Sequence, residues 1–254
     1  MSLMEKQKTR ALILAAGKGT RMNSSVSKVL HTILGKTILE YVVEALEFSS
    51  IERIGVIVGS HNIEEVRKVL NDRVDYIVQR QQLGTGHAVM SATDWLKEFN
   101  GSLLIMVGDA PFINSKIIKQ ILTKQQTGNK AVCFLTAVSK NPLPWGRVVR
   151  DKNGKVLRIV EEKDATIEEK KIREVSSSHY CFDWQSLKQA LAEIDNNNVQ
   201  TEYYLPDVIK ILVKKGLDVE TEISNDFLTS FGINTPADLE FAESQMKSIG
   251  QIND

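Results

Sequence analysis

Cysteine is nearly absent from this 254-residue chain, which holds only Cys133 and Cys181. Neither sits in a C-x-x-C pair or beside a histidine, as a thiolate zinc site would require, so both read as buried thiols of a reducing compartment. Net charge is also missing. The 32 basic and 32 acidic residues cancel, which removes the electrostatic footprint of a nucleic-acid binder or a membrane-surface protein and leaves any phosphate chemistry to local charge. Long apolar runs are lacking as well: the polar stretch Met1 to Arg10 is followed by apolar residues only from Ala11 to Ala16, too few for a signal-peptide core or a membrane span. The expected location is the cytoplasm. No repeat, low-complexity tract or proline-rich linker divides the sequence, so 1–254 is read as one α/β domain.

What is present is an alternation of short apolar runs with stretches of helical period, the pattern of βα units packed as a mostly parallel sheet flanked by helices. Ala11 to Ala16, Ile54 to Gly59, Tyr76 to Val78 and Leu103 to Val107 read as strands. Ile38, Leu39, Val42, Val43 and Leu46 form one helical stripe, and Ala88, Ala92, Trp95 and Leu96 a second. Arg147 to Arg150 and Lys155 to Val160, joined across Asn153-Gly154, predict an inserted antiparallel hairpin. Beyond it the pattern predicts a strand at Val175 to Phe182, helices at Ser186 to Ile194 and Tyr204 to Lys214, a strand near Phe227 to Gly232, and a last helix from Pro236 to about Met246.

The densest signal is L-I-L-A-A-G-K-G-T-R-M from Leu12 to Met22, a buried strand running into a glycine turn. Met22 stands where a dinucleotide fingerprint needs its third glycine, and no Gly-Lys-Ser/Thr closes a P-loop. What remains is a turn with Gly17 and Gly19, small Ala15 and Ala16 before it, and two cations, Arg21 and Lys28, within reach of a polyphosphate. Backbone N–H groups of such a turn can hold phosphates; the alternative is a tight βα turn with surface charges. Leu103 to Val107 ends in Gly108-Asp109, which puts a carboxylate at the C-terminal edge of the sheet, as a metal ligand or as a turn residue.

The run from Leu14 to Lys28 resembles the L-A-A-G-x-G-T-R-M…P-K signature of sugar-nucleotide pyrophosphorylases, with Ser27 in place of the proline. Through Val29-Leu30-His31-Thr32 and Gly35-Lys36 it is most similar to the uridylyltransferase domain of bacterial N-acetylglucosamine-1-phosphate uridyltransferases. His31 by itself reads as structural. The resemblance spans about Arg10 to Glu243 and implies a Rossmann-like, glycosyltransferase-A-like nucleotidyltransferase fold, its nucleotide half at about 10–112 and its sugar half at about 113–246. Gln79 to Ala88 is similar to Q-x-x-Q-L-G-T-G-H-A, which implies that Gln82 and the backbone of Gly84 and Thr85 meet the base; an amide can donate and accept, as a uracil edge demands. Without the resemblance, Thr85 could be a helix cap, and His87 packs or caps.

Gly108-Asp109-Ala110-Pro111 resembles G-D-x-P, and Gly232-Ile233-Asn234 resembles G-V-N, which implies Mg²⁺ held by Asp109 and Asn234; otherwise Asn234 caps the last helix. Trp145-Gly146-Arg147 and Val160-Glu161-Glu162-Lys163-Asp164 are similar to Y-G-R and V-E-x-K-D, and Asn196 to Asp207 to N-N-N-A-Q-G-E-Y-Y-x-T-D, which implies a sugar pocket of Gly146, Glu161 and Tyr204. Here Thr201 and Pro206 replace a glycine and a threonine. Ser176-Ser177-Ser178 aligns with the family's N-T-G, and Val107 with a tyrosine, so Ser176 joins the sugar set in altered form.

The implied reaction joins UTP to N-acetylglucosamine 1-phosphate, giving a UDP-sugar cell-wall precursor and pyrophosphate. Ala15, Ala16, Gly17, Gly19 and Thr20 would hold the triphosphate, and Arg21 and Lys28 would neutralise it. CTP or another sugar phosphate is the enzyme alternative, and a non-catalytic nucleotide-sugar sensor the other. Neither length nor hexapeptide repeats fit the left-handed β-helix acetyltransferase domain of bifunctional members, so no acetyl transfer is expected. Neither a nucleic-acid nor a membrane partner is expected, and the sequence is compatible with a homo-oligomer.

Overall fold

A computed structural model describes residues 8–49, 51–142 and 144–252; part of the polar N-terminal stretch, 1–7, lies outside them. In chain order the elements are β1 (Thr9–Ala15), β2 (Thr32–Ile33), β3 (Lys36–Thr37), α1 (Ile38–Glu47), β4 (Arg53–Gly59), α2 (Ile63–Leu70), β5 (Asp75–Gln79), α3 (Thr85–Met90) and β6 (Ser102–Val107). These are followed by α4 (Ser115–Gln126), β7 (Val132–Val138), β8 (Arg147–Arg150), β9 (Val156–Val160), β10 (Glu174–Asp183), α5 (Trp184–Leu191), α6 (Asp207–Lys214), β11 (Val219–Ser224) and α7 (Pro236–Ile252).

The main sheet runs β11-β7-β10-β6-β1-β4-β5. β1 lies between β4 and β6, parallel to both, and β10 runs antiparallel to β6 and β7. The mixed, mostly parallel α/β sheet expected from the sequence is therefore observed. Because β1 is covered on both faces, its side chains are apolar on both. Leu12, with Ile57 and Ile105, packs in the cluster that holds buried residues of α3, α5 and α6. Ala11 and Ile13, with Val56, Leu104 and Met106, pack with those of α1, α2 and α4. The predicted α1 stripe is buried, and Thr37 and Glu40 close a capping box at its start. A third, small cluster of Met22, Ile33, Ile38, Ile233 and Ala242 ties the segment after the glycine turn to the one before α7.

Two elements differ from expectation. The second stripe is α-helical only through Met90. Beyond it Ser91 Oγ and Thr93 Oγ1 bond back to the carbonyls of His87 and Met90, and the chain continues as turns, although Ala92 and Leu96 stay buried. The strand predicted near Phe227 to Gly232 is instead a 3-10 turn at Phe227–Ser230, with Asp226 capping the Leu228 amide, and the edge strand β11 lies upstream of it. The β8–β9 hairpin is formed, but only Gly154 of its Asn-Gly pair takes a positive φ, and a register shift falls between Val149 and Arg150. β8 is also joined to the main sheet through β10. Cys133 and Cys181, distant in sequence, are cross-strand partners in β7 and β10. Both are free and buried, and burial pushes the Cys133 thiol up to about 12, which suits inert core residues.

Candidate active site

The C-terminal ends of β1, β5 and β6 open on a cavity of about 500 Å³ lined by Ala15, Ala16, Gly17, Gly19, Thr20, Lys28, Gln79, Gln82, Gly84, Thr85, Asp109 and Glu202, among others. Gly19 turns the chain in the left-handed region, φ 60°, and a Cβ there would lie 2.7 Å from Lys28 Cβ, so glycine lets the Lys28 stem pass. A Cβ on Gly17 would meet nothing within 4 Å; its open side faces space that a ligand can fill. Ser27 keeps φ at −55°, the angle a proline would impose. Its hydroxyl also accepts from Asn62 Nδ2 at 2.9 Å, and the same amide donates to the Ala15 carbonyl at 2.9 Å and accepts from the Gly59 amide at 2.9 Å. Buried Asn62, a residue the sequence reading did not single out, thus ties the ends of β1 and β4 to the loop that carries Lys28.

Asp109, after β6, and Asn234, before α7, converge from distant parts of the chain. The Asp109 carbonyl accepts from the Ile233 amide at 2.9 Å. Lys28 Nζ lies between the two side chains, donating to Asp109 Oδ2 and to Asn234 Oδ1 at 2.9 Å. Arg21 donates to that same Oδ1 at 2.9 Å. Asn234 is not the cap of α7: Thr235 Oγ1 accepts from the Asp238 amide, and Asp238 accepts from the amides of Asn234 and Thr235. Asn234 Nδ2 donates to the Gly232 carbonyl at 3.1 Å, so its Oδ1 is turned to the cations. The ammonium marks a point where two protein oxygens already favour a cation. Among the described residues no group of three His, Cys, Asp or Glu side chains could hold a metal, so an ion here would take its remaining ligands from phosphate and water, the habit of Mg²⁺.

The turn after β5 is fixed by side-chain amides. Gln79, buried, donates from Nε2 to the Gly84 carbonyl at 3.1 Å and pairs with His87 Nδ1 at 3.0 Å, so His87 packs as the sequence suggested. Gln82 Nε2 donates to the Gln79 carbonyl at 3.1 Å. Gly84 has φ 107°, and a Cβ on it would lie 2.6 Å from the Tyr203 carbonyl. Thr85 is not a cap; its hydroxyl accepts from the Leu205 amide at 2.9 Å. With Tyr203 N–H to Leu83 O at 2.8 Å and Gly86 N–H to Tyr203 O at 2.7 Å, the 83–86 turn and the 203–205 segment are laced together.

Of the residues assigned to the sugar, Glu161 and Tyr204 line a second cavity of about 610 Å³ together with Asp164 and Asp207, among others, whereas Gly146 and Ser176 are not on its wall. Gly146 leaves space against Glu161, whose Oε1 would be 3.4 Å from a Cβ there. Ser176 stands beside Gly146, its amide donating to the Gly146 carbonyl at 2.9 Å, but its hydroxyl is occupied by Tyr180 at 3.2 Å. Ser178 and Thr201, at positions where the family motifs carry glycine, hold φ 59° and 55°, so the left-handed backbone persists without glycine. Burial, then the charges of Asp207 and Asp164, push the Glu161 carboxyl up to about 7. Burial and Asp195 push Asp207 up to about 6. Beneath them Arg147, buried, pairs with Glu162 and with the Trp145 carbonyl. Gln79, Arg147, Asp164 and Asp207 were missed as working residues; the one available signal was Gln79, which opens a glutamine-rich run directly after an apolar strand.

The sequence profile of the MobA-like NTP transferase domain matches residues 11–176. Among similar proteins, the bifunctional protein GlmU of Bacillus licheniformis is 42% identical over 237 residues, 93% of this chain and 52% of its own length. GlmU of Bacillus subtilis is 41% identical over 237 residues, again 93% and 52%, and GlmU of Enterococcus faecalis 42% over 236 residues, 93% and 51%. The chain thus spans about half the length of the curated relatives it matches.

Proposed function

The chain belongs to the MobA-like NTP transferase family, and from that premise we propose that it is a nucleotidyltransferase that joins UTP to N-acetylglucosamine 1-phosphate and releases pyrophosphate. The observation that carries this reading is the meeting of Lys28, Arg21, Asp109 and Asn234 beside an open glycine turn. Such a site stabilises charge and positions groups without a nucleophile of its own. A phosphate oxygen of the sugar 1-phosphate attacks the α-phosphorus in line, and the bond to pyrophosphate breaks. The 15–20 backbone binds the triphosphate, while Lys28 and Arg21 draw off charge as it builds on the leaving oxygens. Asp109 and Asn234 would hold Mg²⁺, which when bound supplies charge stabilisation to the phosphates. Gln82, oriented by its bond to the Gln79 carbonyl, keeps Oε1 as a free acceptor, and uracil offers that acceptor a ring N–H where cytosine does not.

On the sugar side, Gly146 gives room and Glu161 accepts hydroxyl hydrogen bonds. No described helix is long and apolar enough to cross a membrane, and the free thiols of Cys133 and Cys181 fit the cytoplasm in which this reading puts the reaction. The test is pyrophosphate release with Mg²⁺ from UTP, CTP, GTP and dTTP crossed with N-acetylglucosamine 1-phosphate, glucose 1-phosphate and related sugar phosphates. The expected signal requires UTP and is strongest with N-acetylglucosamine 1-phosphate. Silence across the panel alongside measurable UTP binding would replace the enzyme with a nucleotide-sugar sensor.

A further inference from the structure

Two residues on the wall of the second cavity each carry a buried polar atom with no hydrogen-bond partner. Among the described residues Asp164 Oδ2 is the one buried carboxylate oxygen without a hydrogen bond, and Tyr204 Oη the one buried phenol without one. Both residues line the same cavity, and Tyr204 is only 7% exposed. A buried acceptor and a buried donor in that state are each costly alone and complementary together. The rest of Asp164 is engaged: its amide donates to the Glu161 carbonyl at 3.0 Å, and its Oδ1 accepts from the Val199 amide at 3.0 Å across 35 positions of sequence.

We propose that Asp164 is a positioning residue for Tyr204: Oδ1 clamps the 198–204 segment through Val199, and Oδ2 takes the Tyr204 hydroxyl, so the phenol stands in one place on the wall of the sugar cavity. The proposal rests on the reading that this cavity receives the sugar. Its geometry agrees with the anchoring of the segment's other end, where Tyr203 and Leu205 are bonded to the 83–86 turn. Between the two anchors Thr201 is held at φ 55°, a conformation a β-branched residue keeps only where its surroundings impose it. The other acids nearby are less suited to the task. Glu161 and Asp207 are pushed up to about 7 and about 6, so near neutral pH each spends part of its time protonated and is a poor fixed acceptor. The Tyr204 hydroxyl itself is held above its ordinary value of 10.0, by burial first and the Asp164 carboxylate next, as a proton shared toward a carboxylate should be.

The experiment is calorimetric titration of the full chain with UDP-N-acetylglucosamine and with UDP, for the parent and the variants Asp164→Ala, Asp164→Asn, Tyr204→Phe and Asp164→Ala/Tyr204→Phe, followed by KM and kcat where turnover is seen. UDP affinity reports folding of the nucleotide half in every variant. Expected for Asp164→Ala is at least a tenfold loss for the UDP-sugar with UDP unchanged within twofold, seen in turnover as a raised sugar-phosphate KM at nearly constant kcat. Asp164→Asn, which keeps an acceptor for the Val199 amide, should recover most of the loss. The double variant should bind no worse than the weaker single one. Unchanged discrimination in Asp164→Ala, equal loss for both ligands, or losses that multiply in the double variant would each overturn the positioning role. A parent that binds the UDP-sugar no tighter than UDP would instead remove the sugar reading beneath it.

Discussion

At the glycine turn Lys28 is neutralised directly by Asp109 and Arg21 donates to the Asn234 amide oxygen, and glycine occupies the sharp bend at Gly19. Around the second cavity the reverse holds. Glu161, Asp164 and Asp207 crowd a space walled by the β8–β9 hairpin and the segment before α6, a guanidinium is buried beneath them, and Ser178 and Thr201 occupy left-handed positions. The first region is built on parallel strands buried on both faces, the second on an insertion that must supply its own support. The difference teaches where unmet electrostatic demand sits: the glycine turn pairs its lysine with a carboxylate, and the second cavity keeps unpaired acceptors and shifted carboxyls, as binding sites commonly do.

The widest separation between the halves should come from Asp109→Ala. Loss of the carboxylate that would hold the ion should lower pyrophosphate release by a factor on the order of 10³ or more, with little change in thermal midpoint; undiminished release would break the assignment of the metal to this half. Arg147→Met tests the other half, because it removes a buried guanidinium that holds Glu162 and the Trp145 carbonyl, leaving Glu162 only Lys170 at 3.5 Å. A loss of about 1–3 kcal/mol in urea unfolding is expected, and a loss well under 1 kcal/mol would show the insertion to be less dependent on that pair.

The pH response should separate them next. With its carboxyl at about 7 against an ordinary 4.5, folded Glu161 keeps a proton that the unfolded chain has released. Stability is then greatest below about 4.5 for this group and falls as pH rises through 7. Asp207, Asp164 and Glu202 sharpen this fall and Arg147 opposes it. Melting scans from pH 5 to pH 8 should slope downward in the parent and flatten in Glu161→Gln; parallel slopes would remove the assignment.

Lys28→Met sharpens the comparison from the phosphate side. Once the ammonium is gone from Asp109 and Asn234, Mn²⁺ should bind the nucleotide-free protein about tenfold more tightly, roughly 1.4 kcal/mol, while triphosphate binds more weakly. Weaker Mn²⁺ binding would mean that the lysine does not compete for those oxygens. The smallest effects are stabilising. Ser178→Gly and Thr201→Gly should each raise unfolding free energy by about 0.5–1 kcal/mol by relieving a left-handed non-glycine residue, whereas the same gain should not appear at Asn23, a residue type that adopts this conformation with less penalty.

Much of the nucleotide half was legible because its signals are local. A strand buried on both faces reads as an unbroken apolar run, a glycine turn follows it directly, and Asp109 comes straight after β6. The edge strand β11 and the 3-10 turn after it were misplaced because an alternating VETEIS segment carries less apolar signal than the Phe227 stretch, whose turn is dictated by the Asp226 cap. The sugar half was legible only as a resemblance.

By itself the sequence determined the alternation of strands and helices, the position of the phosphate turn and the residue types at the site, because periodicity, glycine and charge act over a few neighbours. Only the tertiary structure decided that Asn62 holds the Ser27 loop by hydrogen bonds, that Lys28 stands on the two oxygens expected to hold a metal, that Ser176 turns its hydroxyl to Tyr180, and that Asp164 and Tyr204 line one cavity. Each of these joins residues far apart in the chain, and their energies depend on burial, which no local pattern encodes.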